Sequence, residues 1–194
     1  STSPHVAVVR AAGPITMGQS GGLFGVGSGI SEQALGRTLV ELTRDDAVKA
    51  VVLRVDSPGG SALASDLLWD KLMRLRKAKP LIVSVGGMAA SGGYYLACAG
   101  DYVFVEPTSI VGSIGVVGGK LSFKRALGEV GVSVTTVTGS EDPAVAARAS
   151  YLSPLEPWDM ATRQRVRSSM QAVYDLFVTR VGEARQLDPS VVAS

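Results

Sequence analysis

Two glycine-bearing stretches of this 194-residue chain hold residue types that acyl-transfer chemistry uses. One reads Gly86-Gly87-Met88-Ala89-Ala90-Ser91-Gly92-Gly93, the other Asp56-Ser57-Pro58-Gly59-Gly60. A serine flanked by small residues at a strand-to-helix turn stands exposed on a helix N-terminus, where the dipole favours developing negative charge. Glycine lets backbone come close and lets N–H groups converge on an oxyanion. On this reading Ser91 is a candidate nucleophile. The N–H of Gly92, with one from Gly59 or Gly60, would form an oxyanion hole. The same residues also read as an ordinary N-cap on a glycine turn, and spacing alone leaves both open.

A serine nucleophile needs a base. The single His, His5, lies near the N-terminus, which argues against a Ser-His-Asp site. A buried neutral Lys can serve instead. Of the six lysines, Lys71, Lys77 and Lys79 read as helix-surface charges and Lys49 opens a strand. Lys120 lies in a glycine turn after a strand, the only one placed near a candidate site; a solvated loop lysine is the competing reading. Nucleotide binding fails in detail. No G-x-G-x-x-G directly follows a strand, since Gly25, Gly27 and Gly29 sit inside a loop, and Gly119-Lys120-Leu121 lacks the Ser or Thr of a P-loop.

The rare residues exclude more. One Cys, Cys98, cannot form an intrachain disulfide or a Cys-based zinc cluster, and one His cannot build a two-His metal site. No cofactor is expected. A net charge of +2, without a basic run carrying interleaved aromatics, gives no sign of nucleic-acid binding. Ala11–Ser31 and Leu81–Gly100 are free of charge for about the 20 residues a membrane helix needs, but their glycines and Pro14 break that pattern.

The elements around the two glycine stretches read as α/β. Val6–Val9, Val48–Val55, Leu81–Val85, Tyr102–Val105, Ile114–Val117 and Val132–Thr138 have strand character. Val48–Val55 is nearly apolar throughout, as expected of a strand covered on both faces. Helical spacing follows Ser31, a predicted N-cap, with Ala34, Leu35, Leu39 and Leu42 as its stripe. Ala62–Ala78 is predicted helical with Leu63, Leu67, Leu68, Leu72 and Leu75 on one stripe, as are about Ser91–Ala99 and Ser122–Val130. Residues 11–30 read as a flexible Gly-rich loop and Gly139–Tyr151 as another. Ser153-Pro154-Leu155-Glu156 has capping-box spacing before a long helix, Trp158–Ala184, with the stripe Val166, Met170, Val173, Phe177, Val181. Alternating strands and helices predict one α/β domain over residues 1–194, with a mostly parallel sheet and flanking helices. In such sheets ligands sit beyond the carboxyl ends of the strands, where both glycine stretches fall.

The runs RVDSPGGSALAS (Arg54–Ser65), GGMAASGGYYLA (Gly86–Ala97) and GSIGVVGGK (Gly112–Lys120) resemble, in order and spacing, the bacterial signal peptide peptidase A family, also called protease IV. The resemblance implies a crotonase-like/Clp-protease-like fold and a Ser-Lys dyad that degrades cleaved signal peptides. It also implies homo-oligomers at the bacterial inner membrane, their catalytic part facing the periplasm or cell exterior. Carried over by motif, Ser91 is the nucleophile and Gly59, Gly60 and Gly92 serve the oxyanion. The base does not carry over: after Val132–Val137, where short members have Lys, this chain reads Gly139-Ser140-Glu141-Asp142-Pro143. Long members have two related halves, Ser in the C-terminal one and Lys in the N-terminal one. The chain therefore resembles a C-terminal half, with the Lys base and the membrane anchor expected elsewhere and the isolated piece expected to be weakly active or inactive. The groove would take extended apolar peptides; Met88, Leu63 and Ile110 are candidate lining residues, with core packing the favoured reading for each. Two alternatives stay open: an acyl-CoA-processing crotonase-like enzyme, and a non-catalytic half that only builds the oligomer.

Overall fold

The computed structural model describes residues 3–18, 29–134, 137, 139 and 142–193. In chain order the elements are β1 (His5–Ala12), β2 (Ile15–Thr16), β3 (Ile30–Ser31), α1 (Glu32–Arg44), β4 (Val48–Ser57), α2 (Ala62–Ala78), β5 (Leu81–Ala90), α3 (Gly92–Ala97), β6 (Tyr102–Phe104) and β7 (Ile110–Gly112). Then come α4 (Lys124–Glu129), α5 (Pro143–Ala149), α6 (Met160–Arg185) and α7 (Pro189–Val192). Two compact units form, one of residues 1–115 and 174–194 and one of residues 116–173.

The first unit holds a parallel sheet ordered β1-β4-β5-β6, with β7 also paired to β5. One face is core: Val51, Leu53 and Val55 from β4 and Leu81, Val83 and Val85 from β5 pack with Leu68, Leu72 and Leu75 of α2 and Leu96 of α3. From Tyr174 on, α6 belongs to this unit and adds Phe177, Val181 and Ala184 to the same core. Phe177 stacks on Tyr95 with ring centroids 4.3 Å apart. Arg180 joins Asp66 of α2 at 2.9 Å and lies over the Trp69 ring.

The other face of the sheet is open, which corrects the expectation that β4 is covered on both sides. Val8 is 68% exposed, Tyr102 65% and Phe104 62%, and Arg54 and Asp56 are exposed between them. All of them alternate with core residues along their strands, as the two-residue period of a strand requires. The α2 stripe is corrected too: Leu68, Leu72 and Leu75 are buried, with Ala64, Ser65 and Trp69, whereas Leu63 and Leu67 face outward.

Several predicted boundaries shift for local reasons. Ser31 does cap α1, its side chain accepting from the Ala34 N–H. Of the expected 11–30 loop, Ala11–Ala12 end β1 and Ile15 and Ile30 pair in the β2–β3 ladder, while residues 19–28 lie outside the described residues. The strand expected at Ile114–Val117 forms instead at β7, and residues 132–134 of the expected Val132–Thr138 strand are irregular; 135, 136 and 138 lie outside the described residues. The loop expected over Gly139–Tyr151 contains α5. The long helix starts at Met160, not Trp158, because Asp159 caps it: its Oδ1 accepts the Thr162 N–H. Ser153 instead closes a tight turn on the Leu155 N–H.

Candidate active site

The glycines predicted as a turn after Val85 lie inside β5, which runs on to Ala90. Val55 pairs with Val85 but Ser57 pairs with Ala89, so β5 spends two extra residues against β4. That is a bulge, a device that re-aims side chains beside active sites. Asp56 holds it: its carboxylate accepts the Met88 N–H at 3.1 Å, and a Cβ on Gly86 would come within 3.0 Å of the same carboxyl group. A larger residue at position 86 would push the bulge off its clamp.

The bulge delivers Ser91 to the carboxyl end of the sheet, at the N-cap of α3. Its backbone has φ 52° and ψ −119°, a region where a residue with a Cβ is strained. The Ser91 N–H donates to the Gly112 carbonyl at 2.9 Å, and the Ser91 carbonyl accepts the Tyr95 N–H at 3.0 Å. The side chain makes no capping hydrogen bond. Ser91 is half-buried, and the Gly92 N–H beside it has no acceptor among the described residues.

The second glycine stretch closes on this point. Gly59 has φ +95°, and a Cβ there would lie 2.6 Å from the Gly92 nitrogen and 2.8 Å from the Ser91 Cβ. No other residue type fits both the torsion and the space. The Gly59 N–H is taken by the Ser57 hydroxyl at 3.1 Å. Gly60 forms a parallel bridge with Ile15, in which Ile15 N–H donates to Gly59 and Ser61 N–H donates to Ile15. Parallel pairing turns the N–H of the bridged residue to the opposite edge of its strand. For Gly60 that is the β5 side, and this N–H has no acceptor among the described residues.

Ser91, Gly59, Gly60 and Gly92 thus come together. His5 does not join them: it begins β1, opposite Val48 at the start of β4, so it sits at the other end of the sheet, bonded to the Ser3 carbonyl. Lys120 belongs to the second unit, where its ammonium donates to the carbonyls of Ser150 and Ser153 and lies 5.5 Å from the Trp158 ring centre. Two carbonyls and an aromatic face already engage this ammonium, so its side chain is committed within the second unit. Lys71 pairs with Glu32, Lys124 with Glu156, and Lys79 donates to the Leu42 and Asp45 carbonyls, while Lys49 and Lys77 are exposed. Cys98, the C-cap of α3, is buried, and burial pushes its thiol up to about 12.

Three serines that residue spacing does not single out surround Ser91. Ser57 holds the Gly59 turn, and the Ser65 hydroxyl lies where a Cβ on Gly92 would touch it at 2.4 Å. Ser113 follows Gly112 and, like Ser91, has φ 52°. A non-glycine residue with positive φ is the signal that finds it, and only a structure carries that signal.

Residues 73–194 match the profile of peptidase family S49. The chain belongs to that family. Residues 26–111 also match the Clp protease family, in agreement with the parallel sheet and flanking helices. Among relatives named as proteases or peptidases, Protease 4 of Haemophilus influenzae is 35% identical over 192 residues, covering 96% of this chain and 29% of its own length. The chloroplastic serine protease SPPA of Arabidopsis thaliana is 33% identical over 184 residues, 94% of this chain and 26% of its own. A putative signal peptide peptidase SppA of Enterococcus faecium is 29% identical over 155 residues, 79% and 43%. The chain therefore spans less than half the length of these peptidase relatives.

Proposed function

We propose that this chain carries the nucleophile and the oxyanion hole of a serine protease of the Ser-Lys type. One observation carries the reading: Gly59 abuts Ser91 and Gly92 so closely that only glycine fits, leaving the unbonded N–H groups of Gly60 and Gly92 on the Ser91 side. In the reaction Ser91 Oγ gives its proton to a neutral lysine and attacks the scissile carbonyl carbon. The carbonyl oxygen takes up the negative charge and accepts from the Gly60 and Gly92 N–H groups. The lysine then protonates the departing amine, leaving an acyl-enzyme that water hydrolyses by the same route.

The base is a lysine outside these 194 residues. Support comes from the six lysines of the chain, each exposed or bonded to oxygen, and from relatives with room for a second such domain. Substrates are extended apolar peptides, signal-peptide remnants among them; the name of the Enterococcus faecium relative supports this. Leu63 and Ile110, 59% and 58% exposed, and half-buried Met88 offer apolar walls for them. Location at a bacterial inner membrane, with the site facing the periplasm or exterior, and assembly into homo-oligomers belong to the same proposal. Among the described residues no helix is long and apolar enough to cross a membrane, so the anchor is assigned to another segment. In the full-length protein Ser91→Ala removes cleavage of a signal-peptide substrate; unchanged cleavage overturns the assignment.

A further inference from the structure

We propose that Ser57 is the positioning residue of the oxyanion hole, the group that decides which backbone N–H faces the substrate. The inference rests on the reading of Ser91 as nucleophile. Ser57 ends β4 and is fully buried. Its hydroxyl donates to the Gly13 carbonyl at 2.7 Å and accepts the Gly59 N–H at 3.1 Å. A hydroxyl has one proton. Spending it on Gly13 leaves a lone pair toward Gly59, so the direction of both bonds is set.

Around that hydroxyl two chain segments are laced together. Gly13 N–H donates to the Asp56 carbonyl at 2.9 Å, and Ile15 N–H donates to the Gly59 carbonyl at 2.8 Å. The lacing pulls the Gly59 N–H inward, away from Ser91, and the next N–H, that of Gly60, is left for the oxyanion. Ser57 also touches the other donor's support. A Cβ on Gly93 would lie 2.5 Å from the Ser57 carbonyl oxygen and 3.1 Å from its Cβ, so the start of α3 rests directly on Ser57. One buried side chain thus lies between the two segments that carry the Gly60 and Gly92 N–H groups.

Without the hydroxyl, Gly59 keeps a buried N–H with no acceptor, a state proteins avoid. The peptide between Pro58 and Gly59 turns to satisfy it, and the Gly60 N–H swings with it. An oxyanion exists only once attack has begun, so the loss falls on kcat and spares substrate binding.

The test uses Ser57→Ala and Ser57→Thr in the full-length protein. Ser57→Ala lowers kcat about 10- to 100-fold, while KM stays within about twofold and the pH profile of kcat keeps its shape. Affinity for a peptide aldehyde, which forms a hemiacetal with Ser91, falls by the same factor. Affinity for the matching reduced-amide peptide, which lacks the carbonyl oxygen, does not change. Ser57→Thr, which keeps the hydroxyl, restores most of kcat. Equal losses for aldehyde and reduced amide, or an unchanged kcat in Ser57→Ala, overturn the inference, and neither readout depends on the Thr variant folding. Cleavage surviving in Ser91→Ala sinks the nucleophile reading itself. An inactive Ser91→Ala beside a fully active Ser57→Ala sinks only the role of Ser57.

Discussion

The Ser91 N–H and the Gly112 carbonyl meet at 2.9 Å, and that bond ties the candidate nucleophile to the last residue of β7. It helps hold Ser91 at φ 52°, where a Cβ is strained. The strain has a purpose if Ser91 must stand clear of the sheet, and it has a measurable cost. Glycine carries no such penalty, so Ser91→Gly is more stable than Ser91→Ala by about 1 kcal/mol, with both inactive. Urea unfolding of the two variants checks this. Equal midpoints would mean that the torsion stores nothing.

Gly59 faces the opposite constraint. At φ +95°, with the Gly92 nitrogen 2.6 Å from where a Cβ would sit, Gly59→Ala must displace either its own turn or the start of α3. Stability falls by about 2 kcal/mol and kcat by about 100-fold or more. Gly87 supplies the control: the nearest atom to a Cβ there is an Asp56 oxygen at an ordinary 3.7 Å, and Gly87→Ala leaves both quantities nearly unchanged. Thermal melts and peptide cleavage read the two variants side by side.

The docking of α6 depends on Arg180, which bonds Asp66 at 2.9 Å and lies 4.5 Å from the Trp69 ring centre. Asp66 also accepts from the Tyr95 hydroxyl at 3.3 Å, and burial together with that carboxylate holds the Tyr95 phenol above its usual range. Arg180→Met keeps the stem but removes the charge and its hydrogen bonds. It lowers the unfolding free energy by about 1–3 kcal/mol, read from the urea midpoint. Hydrogen exchange then rises first in α3 and in α6 from Tyr174 on.

Cys98 gives a pH prediction with a definite sign. Burial raises its thiol to about 12, above the about 8.5 of an unfolded cysteine. A raised acid favours the folded state while protonated. Its contribution is complete below about 8.5 and is lost as pH climbs from there towards 12. Cys98→Ala should flatten the fall in melting temperature across that window. A thiol reagent at pH 8 should label Cys98 only after denaturant is added; rapid labelling of the folded protein contradicts the burial.

Much of this site was legible in residue order because it depends on glycine. Gly59, Gly60 and Gly92 mark close backbone approach whatever the fold, and Ser91 between them reads as a nucleophile or a cap. The α2 boundaries, Ala62–Ala78, are those expected from the sequence, and in the structure Ser61 caps the start of the helix. Other features depend on pairing across the chain, which no local pattern encodes. The β5 bulge needs Asp56 as its clamp, so Gly86-Gly87 read as a turn although it lies within a strand. β7 forms where it can pair with Met88–Ala90, not at the β-branched Ile114–Val117 run. The open sheet face was hidden because Val6, Val8 and Val52 are as apolar as buried residues; only the arrangement of helices shows which side they cover. Ser57 and Ser113 escaped for the same reason, since their significance lies in what they touch and in a backbone torsion.

The central claim is that Ser91 is the nucleophile, and active-site labelling of the full-length protein tests it most directly. A fluorophosphonate probe should add one label, carried by the peptide that contains Ser91. Ser91→Ala should abolish both the label and peptide cleavage while the protein stays folded. A label on another serine, or cleavage that survives in Ser91→Ala, contradicts the account.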